Sequence, residues 1–593
     1  MKYPHNLLVI DLETDGLDIN SCNIKVFGGY DVNQDKFYIW KWNDKTKRKI
    51  QQLINSVDFI LTFNGINFDI PILQRHGIVI NLTNHFDLFN IIKYKRTPWI
   101  KPDGFKSYSL KNIIDELKLQ NEFGGKGEID FMIFRKNEWT DEEQKLIVDY
   151  LKQDLILTAR LWKFMYDRFD MFKEYINPKH VQRYGHLVSS IGTYVYRAIC
   201  YMANIEELYD SNAKKKTYPG AFVSSPKKES VVGNILCMDY SSLYPNMYIQ
   251  SNLFSHNCKC CSKEQKWHGG EFYKVTGFYC KKTQGKIEKL IKKFLILKDE
   301  ASITGDPRRG VYKNIINTLY GVSGNPVFYS LYNYDSASDC TLLGQQVIKK
   351  TRDLLTEAGY ICLYTDTDSI YIEIPDGKTI DDCIRECNKV SNYLGNKFPF
   401  PCDRFLLKKE YEIKYLQFFK DGNNVGLKKK NYLFVYENKD GSKSIGIKGL
   451  DIIQKDCSEL SRTIYKKYLK QEIIDRLNCK FDKYYITELI MKLLKENIYI
   501  IAKPFNIKEA DQYTSKTSIQ YLILEKYGSG DHKLIRNYRI GAGRGVKYCS
   551  IEEAKKLSIK DLDLELVFQE LSPFINDDMI GDDQLTLKKF EEK

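Results

Sequence analysis

The chain has 593 residues, 43% hydrophobic and 28% charged, with a formal net charge of +13. That length gives a prior of roughly four domains, and the composition is that of an ordinary globular protein. No apolar run reaches about 18 residues, which speaks against a transmembrane helix. The acids inside the first apolar run of "MKYPHNLLVIDLETDGL" speak against a signal peptide, and the 15 cysteines lack the spacing of a disulfide framework. The expected setting is cytoplasmic and reducing, with no membrane. The positive excess suits a polyanionic partner or, equally, a solvated lysine-rich surface. Some of the 42 tyrosines have the chemistry to stack on bases.

In chain order, "NLLVIDLE" and "VDFILTFN" are predicted strands. Asp11 and Glu13 sit two apart on the first, hence on one face, where two acids repel unless a cation lies between them. By themselves they read as a solvent-facing pair. "FNGINFD" then offers Asn64, Phe68 and Asp69. "DEEQKLIVDYLKQDLILTARLWKFM" is a predicted helix with Tyr150 and Asp154 one turn apart. Four carboxylates from a strand, a loop edge and a helix can hold two Mg²⁺ about 4 Å apart, the arrangement for hydrolysing a phosphodiester. Tyr150 is placed to orient the attacking water.

Residues 176–238 are mixed and include a basic turn, "KKKTYPGAF". "NILCMDYSSLYP" is a strand entering a turn or helix, with Asp239 at its end. "SHNCKCCSKEQKWHGGEFYKVTGFYCKK" contains His256, Cys258, Cys260, Cys261, His268 and Cys280. Cys258 and Cys261, with His268 and Cys280, have the chemistry of a tetrahedral zinc site; free thiols are the other reading. "KIEKLIKKFLILKDEA" and "RRGVYKNIINTLYG" are two helices facing across a loop, with Lys313, Asn317 and Tyr320 on one side of the second. "YICLYTDTDSIYIEI" is a hairpin with Asp366 and Asp368 at its tip. From about residue 449 the patterns are helical and lysine-rich.

Asp11-x-Glu13, Asn64-x3-Phe68-Asp69 and Tyr150-x3-Asp154 resemble, in order, the three motifs of the 3′→5′ proofreading exonuclease of family B DNA polymerases. "SYSLKNII" resembles a further exonuclease motif, in which Ser109 and Leu110 help hold the single-stranded end. "MDYSSLYP" resembles the family's first palm motif (Asp239, Ser242, Leu243, Tyr244, Pro245). "KNIINTLYG" resembles its fingers motif (Lys313, Asn317, Tyr320, Gly321), and "YTDTDS" its third polymerase motif. "KKNY" resembles a Lys-x-Tyr element, with Lys430 and Tyr432 on the primer strand. "YPGAF" resembles an element that sets Tyr218, Gly220 and Ala221 near the template, and "KGLDIIQKDCSEL" the opening of a thumb. The resemblance covers about residues 7–460.

It implies a multidomain α/β and α+β chain, an RNase H-like 3′→5′ exonuclease followed by a right-hand polymerase. The expected segments are an exonuclease at 1–175, a connecting segment at 176–238, palm at 239–275, with a small Cys-rich insertion at 254–280, and fingers at 276–330. The rest of the palm follows at 331–448, and a thumb with tail at 449–593. The implied reaction is template-directed addition of dNMP to a primer 3′-OH, with proofreading. Asp239 and Asp368 would hold two Mg²⁺ with Asp366 beside them, Lys313 would bind the triphosphate, and Tyr244 would exclude a 2′-hydroxyl. Tyr320 and Asn317 would shape the nascent-pair pocket. Two further Mg²⁺ belong to the exonuclease acids, and Mn²⁺ can substitute. Partners are primer–template DNA, dNTPs and a single-stranded 3′ end; a monomer is expected.

Departures from the family pattern also carry expectations. Asp11 lies so near the start that the domain many members place before the exonuclease is expected to be absent, as in viral or mobile-element enzymes. The intervals from Asp239 to Lys313 and from Lys313 to Asp366 leave no room for the insertions of protein-primed polymerases. That favours an ordinary nucleic-acid primer over a protein primer. In the first fingers helix Lys298 stands nearest to the usual Arg and Ser302 replaces the usual Lys, with Lys293, Arg308 and Arg309 as substitutes. "QLTLKKF" near the C-terminus faintly resembles a clamp-binding peptide. An inactive protein that only binds primer–template junctions is the alternative from another class.

Overall fold

The computed structural model describes residues 5–96, 105, 107–120, 129–170, 173–181, 190–255, 258–420, 426–454, 456–508, 510, 513, 515–516, 518–537, 547–562 and 564–576. The chain divides into two compact units, Met1–Thr217 with Gln284–Ala337, and Tyr218–Thr283 with Ser338–Lys593. Among the described residues no helix is long and apolar enough to cross a membrane.

The first unit is built on a five-stranded sheet of order β3-β2-β1-β4-β5. Its strands are β1 (Leu7–Thr14), β2 (Ile24–Asp31), β3 (Lys36–Lys41), β4 (Phe59–Thr62) and β5 (His85–Asp87). β1 pairs antiparallel with β2 and parallel with β4. "LLVIDLET" shows little alternation because β1 is central and covered on both faces. Leu8, Ile10 and Leu12 join Phe27, Ile50, Ile72 and Leu73 in one core, while Val26, Ile133, Phe134, Ile147 and Leu151 form another. The predicted long helix spans Asp141–Asp170, with Asp141, Glu142 and Glu143 in its first turn, where they suit the helix dipole. It approaches β2 at Gly28, where a Cβ would stand 3.2 Å from Leu151 and from Leu155.

The same unit holds helix Ile191–Ala203 and the two helices Lys286–Thr304 and Arg309–Ser323. Gly305, at φ +71°, ends the first of this pair. Phe294, Tyr312 and Tyr175 form an aromatic cluster between them, and the Tyr175 and Tyr312 hydroxyls lie 3.3 Å apart.

The second unit carries a six-stranded, wholly antiparallel sheet of order β11-β10-β9-β6-β8-β7. Its strands are β6 (Ser230–Tyr240), β7 (Ile361–Asp366), β8 (Ser369–Glu373), β9 (Leu407–Lys420), β10 (Leu427–Glu437) and β11 (Lys443–Lys448). Tyr415, Phe419, Leu433 and Val435 of this sheet share a core with C-terminal helical residues such as Leu460, Ile464 and Ile490. The C-terminal region is not helical throughout. A three-stranded sheet, β12 (Lys503–Ile507), β13 (Gly530–Asn537) and β14 (Lys547–Ser550), interrupts the helices. "KPFNI" and "KYCS" are too short and too polar to show a two-residue period, so tertiary pairing decided them.

Candidate active sites

In the first unit β1 carries Asp11 and Glu13, the latter buried. The Leu12 amide between them donates to Asp69 Oδ1 at 3.0 Å, which fixes that carboxylate beside the strand. Asp69 opens helix Asp69–Arg75 after a turn in which Asn64 takes φ +67°. Gly65 is required there, since a Cβ would stand 2.5 Å from Thr62. Asp87, at the end of β5, carried no sequence signal. It holds this turn by accepting from the amides of Asn64 (3.1 Å) and Ile66 (2.9 Å). Asp154 is buried on the long helix one turn beyond buried Tyr150, whose ring meets Phe131 edge-on. Burial, then Asp11 and to a lesser degree Asp87, holds the Asp69 carboxyl well above the usual carboxylate range. Buried acids that repel one another in this way fit a hard divalent cation with oxygen ligands. Phe68 is half-buried against the core, Ser109 caps helix Leu110–Leu117 through the Asn112 amide, and Leu110 is buried.

In the second unit, β6 ends near Asp239, which pairs with Ser369 of β8, and Asp366 ends β7 opposite the same Ser369. The Tyr240 amide donates to Asp368 O at 2.9 Å. Three carboxylates thus gather at one end of β6, β8 and β7. The hairpin turns on Thr367 at φ +63°. The chain after "YPGAF" braces it: Thr367 N donates to Phe222 O (3.1 Å), Ser224 N to Thr365 O (3.2 Å), and Thr365 N to Ser224 Oγ (2.9 Å). That segment is fastened in turn by Thr341 Oγ1 to Pro219 O (2.9 Å) and Gln345 Nε2 to Gly220 O (2.5 Å). Tyr218 is half-buried and Gly220 exposed.

The three acids are not equivalent. Burial, then Asp368 and Glu410, pushes the Asp239 carboxyl up to about 8, with Lys448 partly opposing. Asp368 is raised chiefly by burial, with Asp366 and Glu410 adding. Asp366 instead has a cation: Lys430 Nζ lies 2.8 Å from its Oδ1. Glu410, exposed on β9, was not foreseen, because in "KKEYEI" it is one charge among several. Lys430 takes φ +58° and donates its amide to Tyr364 OH at 2.9 Å. Tyr432, expected on the primer strand, is 1% exposed. Its hydroxyl lies 2.9 Å from Tyr371 OH and 3.5 Å from Asp366 Oδ2, so what it touches here is Tyr371 and, at longer reach, the acid.

Ser242, at φ +58°, opens helix Leu243–Ser251, in which Leu243 is buried and Tyr244 half-buried. Tyr244 lies over Gly344, where a Cβ would come within 3.1 Å of its ring. On helix Arg309–Ser323 of the first unit, Lys313 and Asn317 are exposed and Tyr320 half-buried, while Val311, Ile315, Leu319 and Val322 form the buried side. Lys298 lies 3.6 Å from Asp299 and Arg308 is held by Asp306 at 2.6 Å, while Lys293 and Arg309 are exposed.

The zinc expectation needs correction in its ligands. The sulfurs of Cys258, Cys260, Cys261 and Cys280 all lie within 4.8 Å of one another. His268 is not among them. Its Nδ1 is 2.7 Å from Gly277 O and its ring stacks on Phe278. The Cys-x-Cys-Cys run brings the Cys260 sulfur to 3.2 Å from Cys280 Sγ, which spacing did not reveal. His256 and the "QLTLKKF" peptide lie outside the described residues.

Comparison with known proteins gives these arrangements a context. A family model for the RNase H superfamily matches residues 8–166. DNA polymerase 1 of Pyrococcus abyssi is 24% identical over 530 residues, 78% of this chain and 64% of its own. The delta catalytic subunit of Plasmodium falciparum DNA polymerase is 24% identical over 536 residues, covering 79% and 46%. The DNA polymerase of Paramecium bursaria Chlorella virus NY2A is 24% identical over 429 residues, covering 65% and 44%. The chain thus spans from under half to just under two thirds of these relatives' length. The structure of a family B DNA polymerase from Pyrobaculum calidifontis shares the fold, with a TM-score of 0.54 at 15% identity, over 98% of this chain and 79% of that one. A further family model, described as DNA polymerase family B, matches residues 197–538, more than half of the chain. Asp239, Lys313, Asp366, Asp368 and Lys430 all fall inside that match, and the chain belongs to DNA polymerase family B.

Proposed function

We propose that the chain extends the 3′ end of a DNA primer along a template and removes misplaced nucleotides from that end at a second site. The observation that carries the synthetic half is the half-buried pair Asp239 and Asp368 at the end of β6 and the β7–β8 hairpin, both raised chiefly by burial, Asp239 next by Asp368 and Asp368 next by Asp366. Divalent ions such as Mg²⁺, when bound by these acids, supply Lewis-acid stabilisation of the entering oxygen and the leaving phosphate. In the reaction the primer 3′-hydroxyl gives up its proton, its oxygen bonds to the α-phosphorus of a dNTP, and pyrophosphate leaves. Asp366, tied to Lys430 and Tyr432, is proposed to position the hairpin tip. Tyr244, seated on Gly344, is the group proposed to meet the sugar and reject a 2′-hydroxyl. Lys313 and Asn317 present the exposed helix face proposed for the triphosphate, with Tyr320 beside it. Lys298 and Arg308 already have acidic neighbours and are the weaker candidates.

At the other site Asp11, Glu13, Asp69 and Asp154 are proposed to hold the ions for hydrolysis of the terminal phosphodiester, with Tyr150 orienting the water. Exonuclease, palm, fingers and thumb are proposed along the segments expected from the sequence. Tyr218 and Gly220, next to the brace at Phe222–Ser224, are proposed to lie on the template side. Binding should be mainly electrostatic and weaken with salt.

Primer extension on singly primed DNA, with and without dNTPs, reads both reactions. Asp368→Asn is expected to abolish extension and leave 3′ degradation. Asp11→Ala with Glu13→Ala is expected to do the reverse. Unchanged extension by the Asp368→Asn protein would refute the assignment and favour a junction-binding protein. Extension that requires a protein bearing the first nucleotide would favour the protein-primed reading.

A further inference from the structure

Four cysteines of the second unit form a cluster of their own. Cys258, Cys260 and Cys261 come from one tight turn and Cys280 from a later leg, with all four sulfurs within 4.8 Å. Individual separations are 3.4 Å (Cys258–Cys261), 3.2 Å (Cys260–Cys280) and 4.0 Å (Cys260–Cys261). Thiolates on one tetrahedral ion with bonds of about 2.3 Å stand about 3.8 Å apart, which these values bracket. They are too long for disulfides, whose sulfurs lie about 2.05 Å apart. Four sulfurs all within 4.8 Å are also too close for an iron–sulfur cluster, whose four thiolates are spread over two or four irons.

The scaffold around the sulfurs is built. The Thr283 amide donates to Cys280 Sγ at 3.4 Å, a bond that suits a thiolate. The Cys280 amide donates to Ser255 Oγ at 2.7 Å, and Asn252 Nδ2 holds both Cys280 O (2.8 Å) and Thr283 O (2.9 Å). Trp267 and Tyr279 exchange a backbone pair. Fully buried Asp339 accepts from Thr276 N, Gly277 N and Tyr279 OH, tying the returning leg to helix Tyr334–Glu357. Cys260 is exposed and Cys258 and Cys261 half-buried, so an ion can enter.

We propose that Cys258, Cys260, Cys261 and Cys280 bind one structural Zn²⁺ that pins the segment following helix Leu243–Ser251. Binding converts four thiols to thiolates and releases four protons to solvent. All four positions are closed by protein sulfur, leaving no place for substrate, so the ion's role is to hold the fold.

The test uses the full chain purified without chelator, in reductant and with zinc in the medium. Elemental analysis is expected to give one zinc per chain. After chelation, Co²⁺ alone should restore one equivalent with thiolate-to-cobalt charge-transfer and tetrahedral absorption bands. Cys260→Ser, at the most exposed ligand, should lose that zinc, whereas His268→Ala should keep it. Iron in place of zinc, zinc-free wild-type protein that takes up no Co²⁺, or zinc lost by His268→Ala and kept by Cys260→Ser would each overturn the proposal. None of these readings depends on polymerase activity.

Discussion

Gly449 and Lys430 approach backbone to backbone. A Cβ on Gly449 would stand 2.0 Å from Lys430 O, and its φ is +72°. Gly449→Ala therefore forces both a clash and a left-handed alanine, and should destabilise the protein by about 2 kcal/mol or more in chemical denaturation. Lys430 is worth this protection because its ammonium group is the cation of Asp366. Lys430→Met should lower the extension rate roughly tenfold or more, the weight of one charge-assisted hydrogen bond, and leave single-strand degradation intact. Among the described residues, four of the nine non-glycine positions at positive φ are Asn64, Ser242, Thr367 and Lys430. Each lies in a motif singled out from the sequence. Strained backbone concentrated at such positions is what a site held in shape by its surroundings shows.

At the level of elements, the carboxylates were legible because strand and helix periods place them. Asp11 and Glu13 follow β1, Asp154 follows the long helix, and Asp366 and Asp368 flank the turn between β7 and β8. What supports those elements was not legible. Asp87 caps the turn that carries Asp69 from 18 residues further along the chain. Asp87→Ala should leave those amides without their acceptor and cut 3′ degradation with little effect on extension, measured on the same primed template. Residues 222–224 brace the β7–β8 hairpin through two backbone–backbone bonds and one bond to Ser224 Oγ, which no side-chain period encodes. Glu410 reaches Asp239 and Asp368 only because β9 lies beside β6.

Across the whole molecule, charge and burial tie stability to pH and metal. With Asp239 raised to about 8 and Asp368 and Asp69 also raised, the metal-free fold holds protons that the unfolded chain has released above about pH 4. Metal-free stability should therefore fall as pH rises from about 4 to about 8 and then level off. Mg²⁺ bound by those acids as proposed would take the place of the protons, so its thermal stabilisation should grow over the same window. Melting curves with Mg²⁺ and with chelator across that range check this, and Asp239→Asn should flatten the trend. In the C-terminal region buried Glu570 accepts from Ser458 Oγ (2.5 Å) and Ser461 Oγ (2.8 Å) and pairs with Lys503 at 3.4 Å. Glu570→Ala should cost about 3 kcal/mol, read by denaturant unfolding.

By itself the sequence determined the order of the motifs, the strands and helices that carry them, and which acids those elements bear. Those are local properties, written in two- and 3.6-residue periods and in short fixed spacings. Tertiary structure alone decided that Asp366 is paired with Lys430, that Tyr432 faces an acid, that Cys260 rather than His268 joins the thiol cluster, and that three strands interrupt the C-terminal helices. Each of these depends on residues far apart in the chain, or on a turn whose path is set by packing, and burial and charge pairing act through space rather than along the sequence.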